Sequence, residues 1–224
     1  MKNKYNSFSR HYGFPEALIA LTFDDGPSTS TTPQMLDKLK EYGVAATFFV
    51  IGNNIHSDTD KVLLRTVEEG HEIGNHSLTH TNMTKQPRDV ILSEVKVTNE
   101  KVRLVTGREP VFFRPPYIAV NQTVYDSIDM PLVCGIGSDD WDPKVTIEQR
   151  ANLVLSQAQD GHIVLLHDFE GNDKTVAALD ILIPALKSKG FQFVTVSELF
   201  KLKGIVPNTE NYLYSNVLQT KPRI

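Results

Sequence analysis

Short apolar runs alternate with helical apolar periodicities along most of the chain, and this alternation restricts the fold to parallel β/α construction. The runs fall at 18–23, 45–51, 71–74, 111–113, 130–134, 163–166 and 191–194. Between them, Ile147, Ala151, Val154 and Ala158 keep steps of four, three and four. Ile91, Val95, Val102 and Val105 do the same once Thr98 is admitted, which is the spacing of one helix face. Gly43, Gly70, Gly107, Gly161 and Gly190 each follow a helical pattern and precede or open a strand, as helix-ending glycines do. Pro184 lies inside the last long helical pattern and predicts a kink or a later helix start.

About seven strands in about 200 residues are slightly few for a closed eight-stranded barrel. The expected architecture is therefore an α/β fold, a distorted (β/α) barrel of about seven parallel strands, with the active site at their carboxyl ends. A length of 224 residues suits one large domain. It is read here as residues 18–203, with an N-terminal segment at 1–17. At 204–224 the periodicity fades, and a tail packed by Tyr212, Tyr214 and Val217, or partly disordered, is expected.

The longest apolar runs, such as 44–52, are too short to cross a bilayer, so no membrane span is expected. A formal net charge of −4 implies no attraction to nucleic-acid phosphates, and no nucleic-acid partner is expected. The single cysteine, Cys134, excludes an intramolecular disulfide and a cysteine-cluster metal site, and it reads as a buried thiol. Residues 1–12 lack the charged start and apolar middle of a signal peptide. The expectation is a secreted or cell-surface protein whose leader has been removed, with a cytoplasmic one as the alternative.

Five polar clusters follow the carboxyl ends of the predicted strands. The first, Thr22-Phe23-Asp24-Asp25-Gly26-Pro27, sets two carboxylates beside a turn. In isolation it reads equally as an Asx turn and helix cap. The second, Gly74-Asn75-His76-Ser77-Leu78-Thr79-His80, spaces two histidines four apart. On a helical turn this puts both imidazoles on one face, suited to a shared metal; with seven histidines in the chain, coincidence is the competing reading. One carboxylate and two imidazoles leave a divalent metal open positions for water and substrate. His71-Glu72 resembles the opening of a zincin motif but fails its spacing, since Asn75 stands four after His71. Both are read as strand residues.

The third cluster, Phe113-Arg114-Pro115-Pro116-Tyr117, is a stiff loop whose guanidinium fork suits a strand-end carboxylate, or simply solvent. The fourth, Ser138-Asp139-Asp140-Trp141-Asp142-Pro143, holds the only tryptophan. The fifth, Leu165-Leu166-His167-Asp168, ends a strand on a histidine placed for proton transfer or for a structural role.

In this order the five clusters resemble the polysaccharide deacetylase family, the NodB-homology domain of carbohydrate esterase family four, over residues 18 to about 202. The resemblance implies that Asp25, His76 and His80 bind one divalent metal and that Asp24 is the base acting on water. It also implies that Arg114 orients Asp24, that the Tyr117 N–H stabilises the oxyanion and that His167 is the general acid. Trp141, Leu165 and Pro116 would form the acetyl pocket. Mixed oxygen and nitrogen ligands favour zinc, with cobalt or manganese as alternatives.

One position departs from the family pattern. Gly137 stands where an Asp four residues before the Trp usually tunes the acid, and Asp139 and Asp140 are the possible substitutes. An untuned His167 would favour ester over amide substrates, because an amine leaves poorly without protonation. The stretch 134–137 and the Tyr-rich tail likewise resemble the acetylxylan esterase branch. The expected partner is thus acetylated polysaccharide, with O-acetyl xylan first and N-acetylglucosamine polymers second. A noncatalytic carbohydrate-binding module would not need a base, a metal and an acid together.

Overall fold

The computed structural model describes residues 17–220. The N-terminal segment expected at 1–17, except Ala17, and the leader reading lie outside the described residues. In chain order the elements are β1 (Ala17–Asp24), α1 (Thr31–Tyr42), β2 (Ala46–Val50), α2 (Asp60–Glu68), β3 (Glu72–Asn75), α3 (Arg88–Thr106) and α4 (Gln122–Ser127). There follow β4 (Leu132–Val133), β5 (Ile136–Gly137), α5 (Ile147–Gln157), β6 (Ile163–His167), α6 (Asp173–Ser188), β7 (Phe191–Phe193), α7 (Val196–Lys203) and β8 (Leu213–Tyr214).

β1 is the axis of the fold, because it has strands on both edges and packed side chains on both faces. Ile19, Leu21 and Phe23, all fully buried, point to the helix layer and meet Leu36 and Leu39 of α1 and Leu179 and Leu182 of α6. Leu18 and Ala20 point the other way, into a second cluster with Phe49, Val133, Ile163 and Phe200. Burial of each large side chain contributes about 1.5–3 kcal/mol relative to exposure. Such a strand shows as a continuous apolar run rather than an alternation.

The sheet order is β3-β2-β1-β6-β5, all parallel, with β7 on residues 17–19 of β1 and β2 on residues 21–24. Past β3 the order continues through single bridges, Asn75 to Phe113 and Phe113 to Leu132, and then through the β4–β8 pair. The tail returns to the far side, where Ile163 N–H donates to the Ser215 carbonyl (3.0 Å) and Val217 N–H to that of Gly161 (2.9 Å). The result is an α/β fold, a distorted (β/α) barrel.

Several expectations need adjustment. The run 111–113 supplies only two isolated bridges, both at Phe113, since Pro110, Pro115 and Pro116 around it have no N–H to extend a ladder. β5 and β8 are two residues each, too short to imprint a period on the sequence. α6 already begins at Asp173 and runs through Pro184, so the later start does not occur. Burial of Leu179, Leu182, Ile183 and Leu186 outweighs the roughly 3 kcal/mol that an interior proline costs. The glycine stops are where they were expected: Gly43 (φ 61°) and Gly107 (φ 69°) are left-handed caps of α1 and α3.

Candidate active site

A cleft of about 640 Å³ opens where the carboxyl ends of β1, β3, β5 and β6 meet the turn after Phe113. Asp24, Asp25, His76, His80, Tyr117, Trp141, Leu165 and His167 line it. Two expected residues do not. Arg114 is fully buried among Thr22, Asp24 and Cys134, and Pro116 is buried while Tyr117 and Ile118 of the same 3₁₀ turn, Pro116–Ile118, face the cleft. The expectation of Pro116 as a pocket wall is therefore corrected.

Asp24 ends β1 and is 1% exposed. Its Oδ1 accepts a hydrogen bond from an Arg114 guanidinium nitrogen at 2.5 Å, and the same nitrogen donates to Thr22 Oγ1 at 2.6 Å. The other terminal nitrogen donates to the Cys134 carbonyl at 2.7 Å, and the guanidinium carbon sits 4.2 Å from the centre of the Phe49 ring. Arg114 is thus pinned from several directions, as a buried cation must be.

Asp25 has a left-handed backbone (φ 75°), held by the Asn54 side-chain amide donating to its carbonyl at 2.8 Å. Its Oδ1 lies 3.4 Å from Nε2 of His76 and 3.4 Å from Nε2 of His80. His76 Nδ1 meets the Arg114 carbonyl at 2.7 Å; a carbonyl only accepts, so Nδ1 carries a proton and Nε2 faces Asp25. Burial alone would raise the Asp25 carboxyl, but the adjoining His76 imidazole and the charges of His167 and His80 hold it below its ordinary value. Burial, then the neighbouring His76, lowers the affinity of His80 for a proton.

The two histidines do not share a helical turn, as their spacing suggested. Residues 76–80 form a loop in which Ser77 (φ 70°) and His80 (φ 57°) are left-handed, and this path brings the imidazoles to a ring separation of 5.0 Å. The left-handed region costs a non-glycine residue about 1–2 kcal/mol, so the loop needs outside support. Asn75 Oδ1 accepts from Ser77 N–H (2.7 Å), Ser77 Oγ from His80 N–H (2.9 Å), and Glu94 of α3 from the N–H groups of Leu78 and Thr79 (2.9 and 2.8 Å).

Asp25 Oδ1 is buried and has no hydrogen-bond partner among the described residues. A buried carboxylate oxygen left in that state is costly. A cation among Asp25, His76 and His80, whose ligand atoms lie within 4.8 Å of one another, removes the cost. The donor set fits a divalent metal ion.

His167 ends β6 on the opposite side of the cleft. Asp140, 1% exposed, accepts from its Nδ1 and from its backbone N–H, both at 2.8 Å, and from Thr175 Oγ1 at 2.9 Å. Burial would lower the His167 pKa, but the Asp140 hydrogen bond and charge push it up to about 9. Burial would likewise raise Asp140, and His167 holds it low. Gly137 therefore does not leave the histidine untuned, as its place in the motif implied. Asp140 supplies the carboxylate, and Gly137 gives no chemical reason to prefer an ester over an amide.

Asn54 and Glu94 are the supports that sequence reasoning missed. Glu94 had a readable signal, since it stands three after Ile91 and four before Thr98, on the stripe that α3 buries.

Fold and site together define the arrangement of a metal-assisted hydrolytic site: strand-end carboxylates and imidazoles fit a metal on one wall, and an Asp-supported histidine stands on the other. The chain belongs to the polysaccharide deacetylase family, whose sequence model matches residues 11–130. It is 50% identical over 202 residues to a bifunctional xylanase/deacetylase of Pseudobutyrivibrio xylanivorans, covering 90% of this chain and 33% of that protein. This chain thus spans about a third of that relative's length. Among solved structures it superposes on the Xyl-CE4 domain of a multidomain xylanase from the hindgut metagenome of Trinervitermes trinervoides, with a TM-score of 0.89, 49% identity and coverage of 91% and 98%. A family 4 acetyl xylan esterase from Clostridium thermocellum, in complex with a cobalt ion, matches with a TM-score of 0.87, 42% identity and coverage of 90% and 100%.

Proposed function

We propose that this chain hydrolyses O-acetyl esters of xylan. The observation that carries the reading is the buried, unpartnered Asp25 Oδ1 between two imidazole nitrogens, with Asp24 beside it and His167, held by Asp140, across the cleft. The xylan preference is supported by the similarity to xylanase-associated and acetyl xylan esterase domains.

Asp25, His76 and His80 would hold the cation, and zinc suits their mixed nitrogen and oxygen donors. A divalent cation there supplies Lewis acidity, polarising an acyl oxygen and lowering the pKa of water toward about 7. Asp24, oriented by Arg114, takes a proton from the attacking water. Tyr117, left-handed at φ 59°, offers its N–H to the oxygen on which charge develops. His167 gives its proton to the departing sugar oxygen, releasing acetate and a free hydroxyl. Trp141 and Leu165 border the acyl methyl group.

The test is acetate release from acetylated xylan and from chitooligosaccharides, each with and without added zinc. Faster release from acetylated xylan, abolished by chelation, is the expected result. Faster release from chitooligosaccharides would replace the ester reading with N-deacetylation.

A further inference from the structure

The geometry points to Glu94 as a positioning residue that sets the spacing of His76 and His80 by clamping the loop between them. The inference rests on the reading of those histidines as cation ligands.

Glu94 lies on α3, outside the cleft lining, and is 6% exposed. A buried carboxylate needs partners. Its Oε2 accepts from the backbone N–H groups of Leu78 (2.9 Å) and Thr79 (2.8 Å), and its Oε1 accepts from Thr79 Oγ1 (2.8 Å). All three donors lie strictly between the two histidines. On the other side of the loop, the N–H groups of Gly52 and Asn53 donate to the carbonyls of Ser77 (2.8 Å) and Leu78 (2.9 Å). Among the described residues, Glu94 supplies the carboxylate of this clamp.

The clamp matters because the loop is strained at both ends, with left-handed Ser77 and His80. Relaxation of either residue toward the right-handed or extended regions re-aims an imidazole. Without the carboxylate, two adjacent N–H groups lose their acceptor and favour a rearranged loop. A cation then has to bind and reorganise the loop at once, which weakens binding even though no ligand has been touched.

Glu94→Ala and the near-isosteric Glu94→Gln separate this role from simple support of the fold. Zinc affinity of the metal-stripped protein is measured by calorimetry, beside its melting temperature and its turnover across a zinc titration. The expected result is a tenfold to hundredfold loss of zinc affinity for Glu94→Ala, the order found for groups that orient metal ligands. Glu94→Gln, which keeps one acceptor oxygen, should fall between Glu94→Ala and the parent, and excess zinc should recover turnover. Unchanged zinc affinity in both variants, with a lowered melting temperature, would make Glu94 a structural cap and overturn the proposal. If Glu94→Ala does not fold, the same comparison on Glu94→Gln decides. Failure of the parent protein to bind zinc would remove the ligand reading itself and the proposal with it.

Discussion

Asp140 holds His167 by two atoms at once: its Oδ1 meets the imidazole Nδ1 and its Oδ2 accepts the backbone N–H of the same residue, each at 2.8 Å. The ring is fixed in orientation, and its Nε2 is left for the cleft. The pair also sets acid strength, raising His167 to about 9. A general acid must be protonated to act, so activity should persist through neutral pH and fall as pH rises through that value. Asp140→Asn should move the alkaline limb of the kcat/KM profile toward about 6.5, the ordinary histidine value. An alkaline limb that stays in place would show that it belongs to another group.

Asp24 and Asp25 are adjacent but differently held: Asp24 is bound by Arg114 and only its Oδ2 approaches His76, at 3.8 Å, whereas Asp25 Oδ1 lies 3.4 Å from both imidazoles. Asp24→Asn should lower turnover by about 10²–10⁴-fold, the usual loss when a general base is removed. Zinc content, read by elemental analysis, should stay nearly unchanged. Loss of zinc together with activity would mean that the base and ligand labels must be exchanged.

The leaving group gives a third expectation. With Asp140 in place, the acid is equipped for amides as well as esters, so the His167→Ala variant exposes the difference in proton demand. Expulsion of an amine depends more on protonation than expulsion of an alkoxide. Residual kcat/KM in that variant should therefore fall further on chitooligosaccharides than on acetylated xylooligosaccharides, with each factor of ten equal to about 1.4 kcal/mol of barrier. Equal losses on the two substrates would remove His167 from the leaving-group step.

Away from the cleft, His71 is 4% exposed, its Nδ1 accepts from the Ala46 N–H (3.2 Å), and burial lowers its pKa to about 4. Because its folded pKa lies below the unfolded value, the unfolded chain binds the extra proton between about pH 6.5 and pH 4. Stability from this group is therefore complete above about 6.5 and is lost as pH falls toward 4, by up to about 3 kcal/mol. His71→Gln, which retains an acceptor for Ala46, should flatten the dependence of Tm on pH over that window. An unaltered slope would assign the acid sensitivity elsewhere.

Much of this was legible in the chain because burial on both faces of β1 and β6 writes itself as apolar runs, and because left-handed caps such as Gly43 and Gly107 favour glycine. The site residues were legible as types at strand ends. Their geometry was not. Spacing put His76 and His80 on a helical turn, whereas Asn75 and Ser77 within the motif, and Glu94 far from it, hold a left-handed loop. The motif comparison sought the partner of His167 at Gly137, yet contact across the fold makes it Asp140. The tail gave no periodic signal, because Tyr214 and Val217 bury their side chains in a bridge-like segment without regular repeat.

The distribution of the site along the chain has an evolutionary consequence. Asp24, Asp25, His76 and His80 all come from the first three strands and the loops after them, whereas His167 ends β6 and Asp140 lies in the loop after β5, both on the other side of β1. Substitutions in the later segment can silence proton delivery while the earlier one still recruits a cation. The His167–Asp140 pair and the candidate cation site can therefore change independently of one another, without any change to the core packed around β1.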